Sequence, residues 1–361
     1  LLKIDVHTHI LPERLPDFRK LPGGERFVRI EHQTPGSGRA RLIVDGSLFR
    51  EIGSNSWNVE TRLAECDAAG VNVQVLSTVP VLFSYWAQSS PALDLARYLN
   101  DHIAGVVAAH PARFAGLGTI PMQNPDLAIA ELERCVRDLG LSGVEIGSNV
   151  NGANLDSPEL FPVLEAAATL NAAVFVHPWE MAGRDRMTRY WLPWLVGMPA
   201  EVSLAICSLI FGGVLERLPA LRIAFAHGGG AFPATIGRIV RGFEVRPDLC
   251  AVSNDVSPRD YLRRITVDSL VHDPLMLRYL VDLMGPDRIG LGSDYPFPLG
   301  EARPGELIDS CGFPEETRAR LLHGTALEWL GISAARFATG QRSGGSTIPP
   351  RASAVRDPDR R

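Results

Sequence analysis

Two histidines one residue apart close the first apolar run of the chain, in Asp5-Val6-His7-Thr8-His9. On an extended strand, residues i and i+2 share a face, so both imidazoles can reach one point in space. Imidazole is the commonest protein ligand for zinc and related ions, and two rings supply half of a metal site. Further along, His177 closes Val174-Phe175-Val176-His177-Pro178, and His227 closes Ala224-Phe225-Ala226-His227 ahead of Gly228-Gly229-Gly230. Asp294 closes Gly290-Leu291-Gly292-Ser293-Asp294. Taken singly, each reads as a solvated strand end or a turn cap. Together they place metal-competent side chains at the same end of several strands, the convergence that a divalent ion with ligands at about 2.0–2.2 Å requires.

A catalytic site of this kind needs a few ligands and one open position. His7, His9, His177 and Asp294 make a ligand set. His227 then remains free to act as acid or base beside it, since an imidazole titrates near neutrality. Gly228–Gly230 permits close backbone approach there, and reads equally well as a tight strand-to-helix turn. The histidines at 32, 102, 110, 272 and 323 have no such placement and read as surface or locally hydrogen-bonded groups.

These residues need a scaffold that ends its strands together. Short β-branched runs at Lys3–His7, Asn72–Ser77, Phe114–Thr119, Gly143–Gly147, Ala173–His177, Arg222–His227, Arg264–Asp268 and Arg288–Asp294 read as strands. Helical spacing fills the gaps, at Val59–Ala69, Leu93–Ala109, Pro125–Leu139, Glu159–Leu170, Ala200–Glu216 and Pro274–Met284. Repeated β-α with continuously apolar strands predicts an α/β fold, a distorted (β/α)8 TIM barrel with its site at the C-terminal strand ends. A doubly wound open sheet is the alternative. It usually carries a glycine-rich turn after its first strand, where His7-Thr8-His9 stands instead.

The barrel is expected to span residues 1–335, with a small β-rich insertion over 12–56 after the first strand. Trp179, Tyr190, Trp191 and Trp194 lie in a long segment, 178–198, with the composition of a lid. Residues 336–361 are rich in Gly, Ser, Pro and Arg, and disorder is expected there. A net charge of −5 gives no footprint for nucleic acid. No apolar run reads as a membrane span and no signal-peptide pattern stands at the start, so no membrane partner is expected. Five scattered cysteines without a CxxC pair suit a reducing compartment, and a cytoplasmic location is expected.

The strand-end motifs resemble the metal-dependent amidohydrolase superfamily, in which HxH on strand one, histidines on strands five and six and an aspartate on strand eight build the metal site. Longer strings are similar to the α-amino-β-carboxymuconate-ε-semialdehyde decarboxylase family within it. They include Ile4 to Pro12, Leu76 to Val81, Phe83 to Ala87, Tyr190 to Pro199, His227 to Pro233 and Asp294 to Gly300. The likeness runs from about Lys3 to Gly331. It implies one Zn²⁺ per subunit on His7, His9, His177 and Asp294, no organic cofactor, and His227 as acid/base. It implies non-oxidative loss of CO₂ from a small dicarboxylate of tryptophan and kynurenine breakdown, or of 2-nitrobenzoate breakdown. Arg50 falls where the family sets an arginine against a substrate carboxylate, and Arg238 matches one supplied across a homodimer interface. Trp191, Trp194 and Phe297 would wall the pocket. One departure is Gly324-Thr325-Ala326, where the family commonly has Gly-Asn-Ala. Another is that no lysine ends strand four, Gly143-Val144-Glu145-Ile146-Gly147, which points to a mononuclear site. The rivals are hydrolysis or aromatic-acid decarboxylation on the same scaffold, and a noncatalytic metal-binding protein; the latter would be expected to lack His227 or a ligand.

Overall fold

The computed structural model describes residues 1–34 and 36–340. Eight parallel strands follow one another in chain order around a single sheet: β1 (Ile4–His9), β2 (Val73–Ser77), β3 (Phe114–Thr119), β4 (Gly143–Gly147), β5 (Ala173–His177), β6 (Arg222–Phe225), β7 (Thr266–Asp268) and β8 (Ile289–Gly290). The two ends of the sheet meet. Val6 N donates to Leu291 O (2.8 Å), Asp294 N to His7 O (2.9 Å) and His9 N to Tyr295 O (2.7 Å), with Thr8 bridging Tyr295 in parallel. The (β/α)8 barrel is therefore closed, although β8 is regular for only two residues and completes its seam irregularly.

Strand alternation divides the core. Val144, Ile146, Val174, Val176, Ile223, Phe225 and Val267 face outward and pack against the helices. Val73, Val75, Ala115, Leu117, Ala173, Phe175, Ala224 and Ala226 fill the barrel, joined by Ile4 and Val6. Trp329, Leu330 and Phe337 plug its lower end. Phe337 lies in the turn Ala334–Gly340, so ordered packing continues into the segment expected to be a disordered tail from 336. Residues 341–361 lie outside those described.

Local chemistry places the helices. Asn58, Asn124 and Asp273 cap Val59–Ala69, Pro125–Glu133 and Pro274–Met284 by accepting first-turn N–H groups, and proline opens the latter two. One helix corrects the sequence reading. Pro193–Phe211 runs for 19 residues with mean hydropathy 1.8, long and apolar enough to span a membrane, and half of it is buried within the protein. Its first turn begins at Pro193, ahead of the expected Ala200, because proline is tolerated at a helix start.

Within 12–56 the chain forms a three-stranded antiparallel sheet, Arg29–His32, Arg39–Val44 and Ser47–Gly53. Asp45 and Gly46, both at positive φ (49° and 71°), make its tight hairpin. Its apolar face, with Ala40, Leu42 and Ile52, packs on Val79, Leu82, Leu95 and Leu99.

Candidate functional site

His7 and His9 reach the pocket through a β-bulge. The β1–β2 register pairs Asp5 with Gln74 but Thr8 with Leu76, so one extra residue is inserted between them. That insertion lets Ile4 and Val6 face the barrel interior and still turns the His7 and His9 rings inward above them. The rings of His7, His9, His177 and His227 gather with centroid separations of 5.1–5.2 Å. One ligand atom each from His7, His177, His227 and Asp294 falls within 4.8 Å of the others. His9 Nε2 lies 3.1 Å from Asp294 Oδ1, and His7 Nε2 lies 3.6 Å from it. All five side chains singled out at strand ends thus converge. Geometry alone groups His227 with the candidate ligands as closely as it groups His9.

Hydrogen bonds fix which nitrogen faces the centre. His9 Nδ1 donates to Thr78 O (2.8 Å), His177 Nδ1 to Pro178 O (3.0 Å) and His7 Nδ1 to Asp268 Oδ2 (2.7 Å). A carbonyl or carboxylate only accepts, so each proton sits on Nδ1 and each Nε2 presents a lone pair. Those three Nε2 atoms are buried and make no hydrogen bond with the described residues. Buried polar atoms are rarely left so, and the donor set fits a divalent cation. Burial, then the neighbouring imidazoles, holds His177 well below the usual histidine range and His227 down to about 4. Burial alone would raise Asp294, but His9, whose Nε2 lies 3.1 Å from Oδ1, and the other nearby imidazoles outweigh that and lower it. Near neutrality the centre therefore offers an ionised carboxylate and neutral rings at His177 and His227, while the Asp294 and Glu145 carboxylates outweigh burial and raise His9.

Three buried acids surround the donors, and none was singled out in the sequence. Asp268 accepts from His7 Nδ1, His227 N (2.8 Å), Gly228 N (2.7 Å) and Leu270 N (3.1 Å). Asp5 joins β1 to the segment that carries Asp294, accepting from His7 N (3.3 Å), Ser293 N (3.0 Å) and Ser293 Oγ (2.5 Å). Glu145 projects into the barrel 3.8 Å from His9 Nδ1, and burial pushes its carboxyl up to about 8. A carboxylate at the C-terminal end of a barrel strand was the available signal for Asp268.

Above the donors opens a cavity of about 400 Å³. Its walls include Phe49, Trp179, Trp191, Trp194, Met198, Leu270 and Phe297, and Arg50 and His272 are polar groups at its edge. His272, expected to be a surface or locally hydrogen-bonded residue, is exposed and stands at the cavity edge at positive φ (56°) after β7. Arg50 comes from the insertion and lies over the Phe297 ring at 4.5 Å, with Phe49 and Trp194 at 5.7 and 5.9 Å. It forms no ion pair among the described residues. Burial depresses its pKa, partly offset by Asp294. Arg238, by contrast, is exposed on the helix Phe232–Val245 and does not line its own chain's cavity.

A closed (β/α)8 barrel with imidazoles and a carboxylate converging at its C-terminal face defines a class of metal-site barrel enzymes. The amidohydrolase family model matches residues 4–332, and the chain belongs to that family. It is 57% identical over 337 residues to a 2-amino-3-carboxymuconate-6-semialdehyde decarboxylase of Dictyostelium discoideum, covering 93% of each chain. The 5-carboxyvanillate decarboxylase LigW of Sphingomonas paucimobilis superposes with a TM-score of 0.78 at 26% identity, over 92% of this chain and all (100%) of that one. A dihydroxybenzoic acid decarboxylase of Polaromonas, solved with manganese and 2-nitroresorcinol, shares the fold at 22% identity (TM-score 0.74, covering 93% and 99%).

Proposed function

We propose that this chain is a zinc-dependent decarboxylase that converts 2-amino-3-carboxymuconate 6-semialdehyde to 2-aminomuconate 6-semialdehyde and CO₂, a step of tryptophan breakdown. The activity named for the Dictyostelium relative supports it, given identity of 57% over 93% of the chain. The geometric observation that carries it is Arg50, a partly buried cation without an ion-pair partner among the described residues, placed beside a metal-competent centre. Such a guanidinium calls for an anionic ligand, and a planar carboxylate suits its paired donors.

His7, His9, His177 and Asp294 would hold the ion, their Nε2 atoms and carboxylate already facing one centre. Bound there, zinc supplies Lewis acidity. Replacing a carboxylate by hydrogen requires one proton at the carbon that loses CO₂. His227, kept neutral by burial, takes up a proton on its imidazole and returns it to that carbon. Trp191, Trp194 and Phe297 limit access of bulk water while Arg50 holds one carboxylate.

The second carboxylate is met by Arg238 of a neighbouring copy in a homodimer. Its exposure away from its own cavity supports supply in trans, as do the exposed apolar residues Val245, Leu249 and Val252 that follow it. Mixing Arg50→Ala and Arg238→Ala chains, each impaired alone at low substrate, would restore parental KM in about a quarter of the sites in a two-fold dimer. No recovery would remove the shared-site reading.

The function itself is tested by generating the semialdehyde from 3-hydroxyanthranilate with its dioxygenase and adding the zinc-loaded protein. Rapid loss of the substrate chromophore with stoichiometric CO₂, abolished by chelation, is the expected result. Decay at the spontaneous rate with zinc bound would move the assignment to a related aromatic-acid decarboxylase or hydrolase.

A further inference from the structure

We infer that Asp268 is a positioning residue that sets the ligating face of His7 and the place of His227 together, so that one buried carboxylate couples metal affinity to proton transfer. The inference rests on the metal reading above.

Asp268 ends β7, is fully buried and faces four N–H donors. Its Oδ2 accepts from His7 Nδ1 (2.7 Å) and His227 N (2.8 Å), and its Oδ1 accepts from Gly228 N (2.7 Å) and Leu270 N (3.1 Å). Only an ionised carboxylate can accept on both oxygens; an amide or a protonated acid turns a donor toward a donor. In keeping with this, the interactions with His7 and His227 outweigh burial and lower its pKa. A plain turn at the end of β7 would use Oδ1 for Leu270 and leave Oδ2 idle. Here Oδ2 reaches His7 on β1, across β8, as well as the residue beyond the adjacent β6.

The other two inward rings differ in their anchors. His9 and His177 are oriented by the backbone carbonyls of Thr78 and Pro178, which no side-chain substitution removes. For His7 the orienting group is a side chain. The same carboxylate also holds consecutive amides at His227 and Gly228, both at positive φ (56° and 62°). For histidine that conformation is unfavourable and persists only where its surroundings enforce it. The strand opposite leaves Asp268 little freedom, because a Cβ placed on Gly292 would come within 2.6 Å of the Asp268 Cβ.

Asp268→Asn tests this with little change of shape. If the amide faces His7, the imidazole accepts at Nδ1 and carries its proton on Nε2, the atom that should ligate. If it faces the other way, the Gly228 and Leu270 amides are opposed by a donor. Zinc affinity of the stripped protein, measured by competition with a chromophoric chelator, should fall about 10–100-fold. At saturating zinc, kcat should fall at least about tenfold while KM stays within about threefold, because Arg50 is untouched. In the unsubstituted metal-free protein, histidine-selective ¹⁵N spectra should show His7 protonated at Nδ1. Zinc affinity within about threefold of the parent, or parental kcat once zinc is saturating, would overturn the inference. So would a His7 proton on Nε2 in the parent, a readout that decides the matter even where Asp268→Asn does not fold. If the parent itself takes up no zinc on these residues, it is the metal reading that fails; if the parent binds zinc and Asp268→Asn matches it, only the present inference does.

Discussion

The donors inside the barrel and the groups at its mouth are held by different kinds of structure. The inward histidines sit on or at the ends of barrel strands and are oriented by hydrogen bonds to other strands or adjoining loops: His7 to Asp268, His9 to Thr78, His177 to Pro178. At the mouth, Arg50 hangs from the inserted hairpin and is framed by aromatic faces, while Trp191 is 42% exposed. Backbone ladders fix the first set to a fraction of an ångström. Arg50 also rides on a paired strand, but its guanidinium is framed by ring faces and not by hydrogen bonds among the described residues, which leaves it adjustable, as suits a surface that must admit a substrate and let CO₂ leave. On the proposed mechanism, proton transfer would belong to the rigid region and substrate recognition to the compliant one.

Substitutions can separate the two. His227→Ala should lower kcat by about 10²–10⁴ while zinc stays bound, the range for loss of a general acid/base. A kcat near the parental value would place the proton transfer elsewhere. Arg50→Ala should act on the other region: KM rises about 10–100-fold, as expected for losing a charge-assisted pair of roughly 1.5–3 kcal/mol, with the melting temperature unmoved. An equal fall in kcat with KM constant would erase the distinction between the regions. Trp194→Ala should change KM by less than about tenfold, in line with the ~0.5–1.5 kcal/mol of an aromatic contact.

The smallest effect sharpens the contrast between two buried acids of the rigid region. Burial pushes Asp5 up to about 7, only partly offset by its hydrogen bond to Ser293. The folded chain therefore keeps a proton that the unfolded chain releases above its ordinary carboxyl pKa. The stability this contributes is full below about pH 4 and is lost as the pH rises through about 7. Asp5→Asn removes that loss and keeps the bonds, since its oxygen accepts from the His7 and Ser293 amides and its amide donates to Ser293 Oγ. Metal-free Asp5→Asn should therefore gain stability on the parent as the pH is raised from about 5 to about 8 in denaturant titrations. A gap that narrows over that range would mean Asp5 is ionised in the folded state. Asp268→Asn has no such compatible arrangement.

What could be read in advance follows the same division. His7, His9, His177, His227 and Asp294 were legible because each ends an apolar run, and barrel topology turns strand ends into neighbours. Arg50 and Arg238 look like any surface arginine in the sequence and were noticed only through family likeness. The β-bulge between Asp5 and Thr8 leaves no local mark, because it exists only in relation to the β2 register. Asp268 ends a strand of three residues, and its meaning depends on β6 and β1, which lie far from it in sequence. The irregular end of β8 was read as a strand through Asp294; its apolar run continues, but the seam with β1 bends away from ladder geometry after Gly290.

The seam between β1 and the residues after β8 has a consequence for how the protein is made. Asp294 leaves the ribosome nearly three hundred residues after His7. At roughly 5–20 residues per second, tens of seconds separate them. Throughout that interval β1 has no partner along one side, an open edge of the kind that invites wrong pairing. The four proposed ligands and His227 come together only after Asp294 has emerged, so the full site cannot form until the ring is shut. On the metal reading proposed above, ion uptake follows closure of the ring, and a chain interrupted before Asp294 has no complete set of ligands to offer.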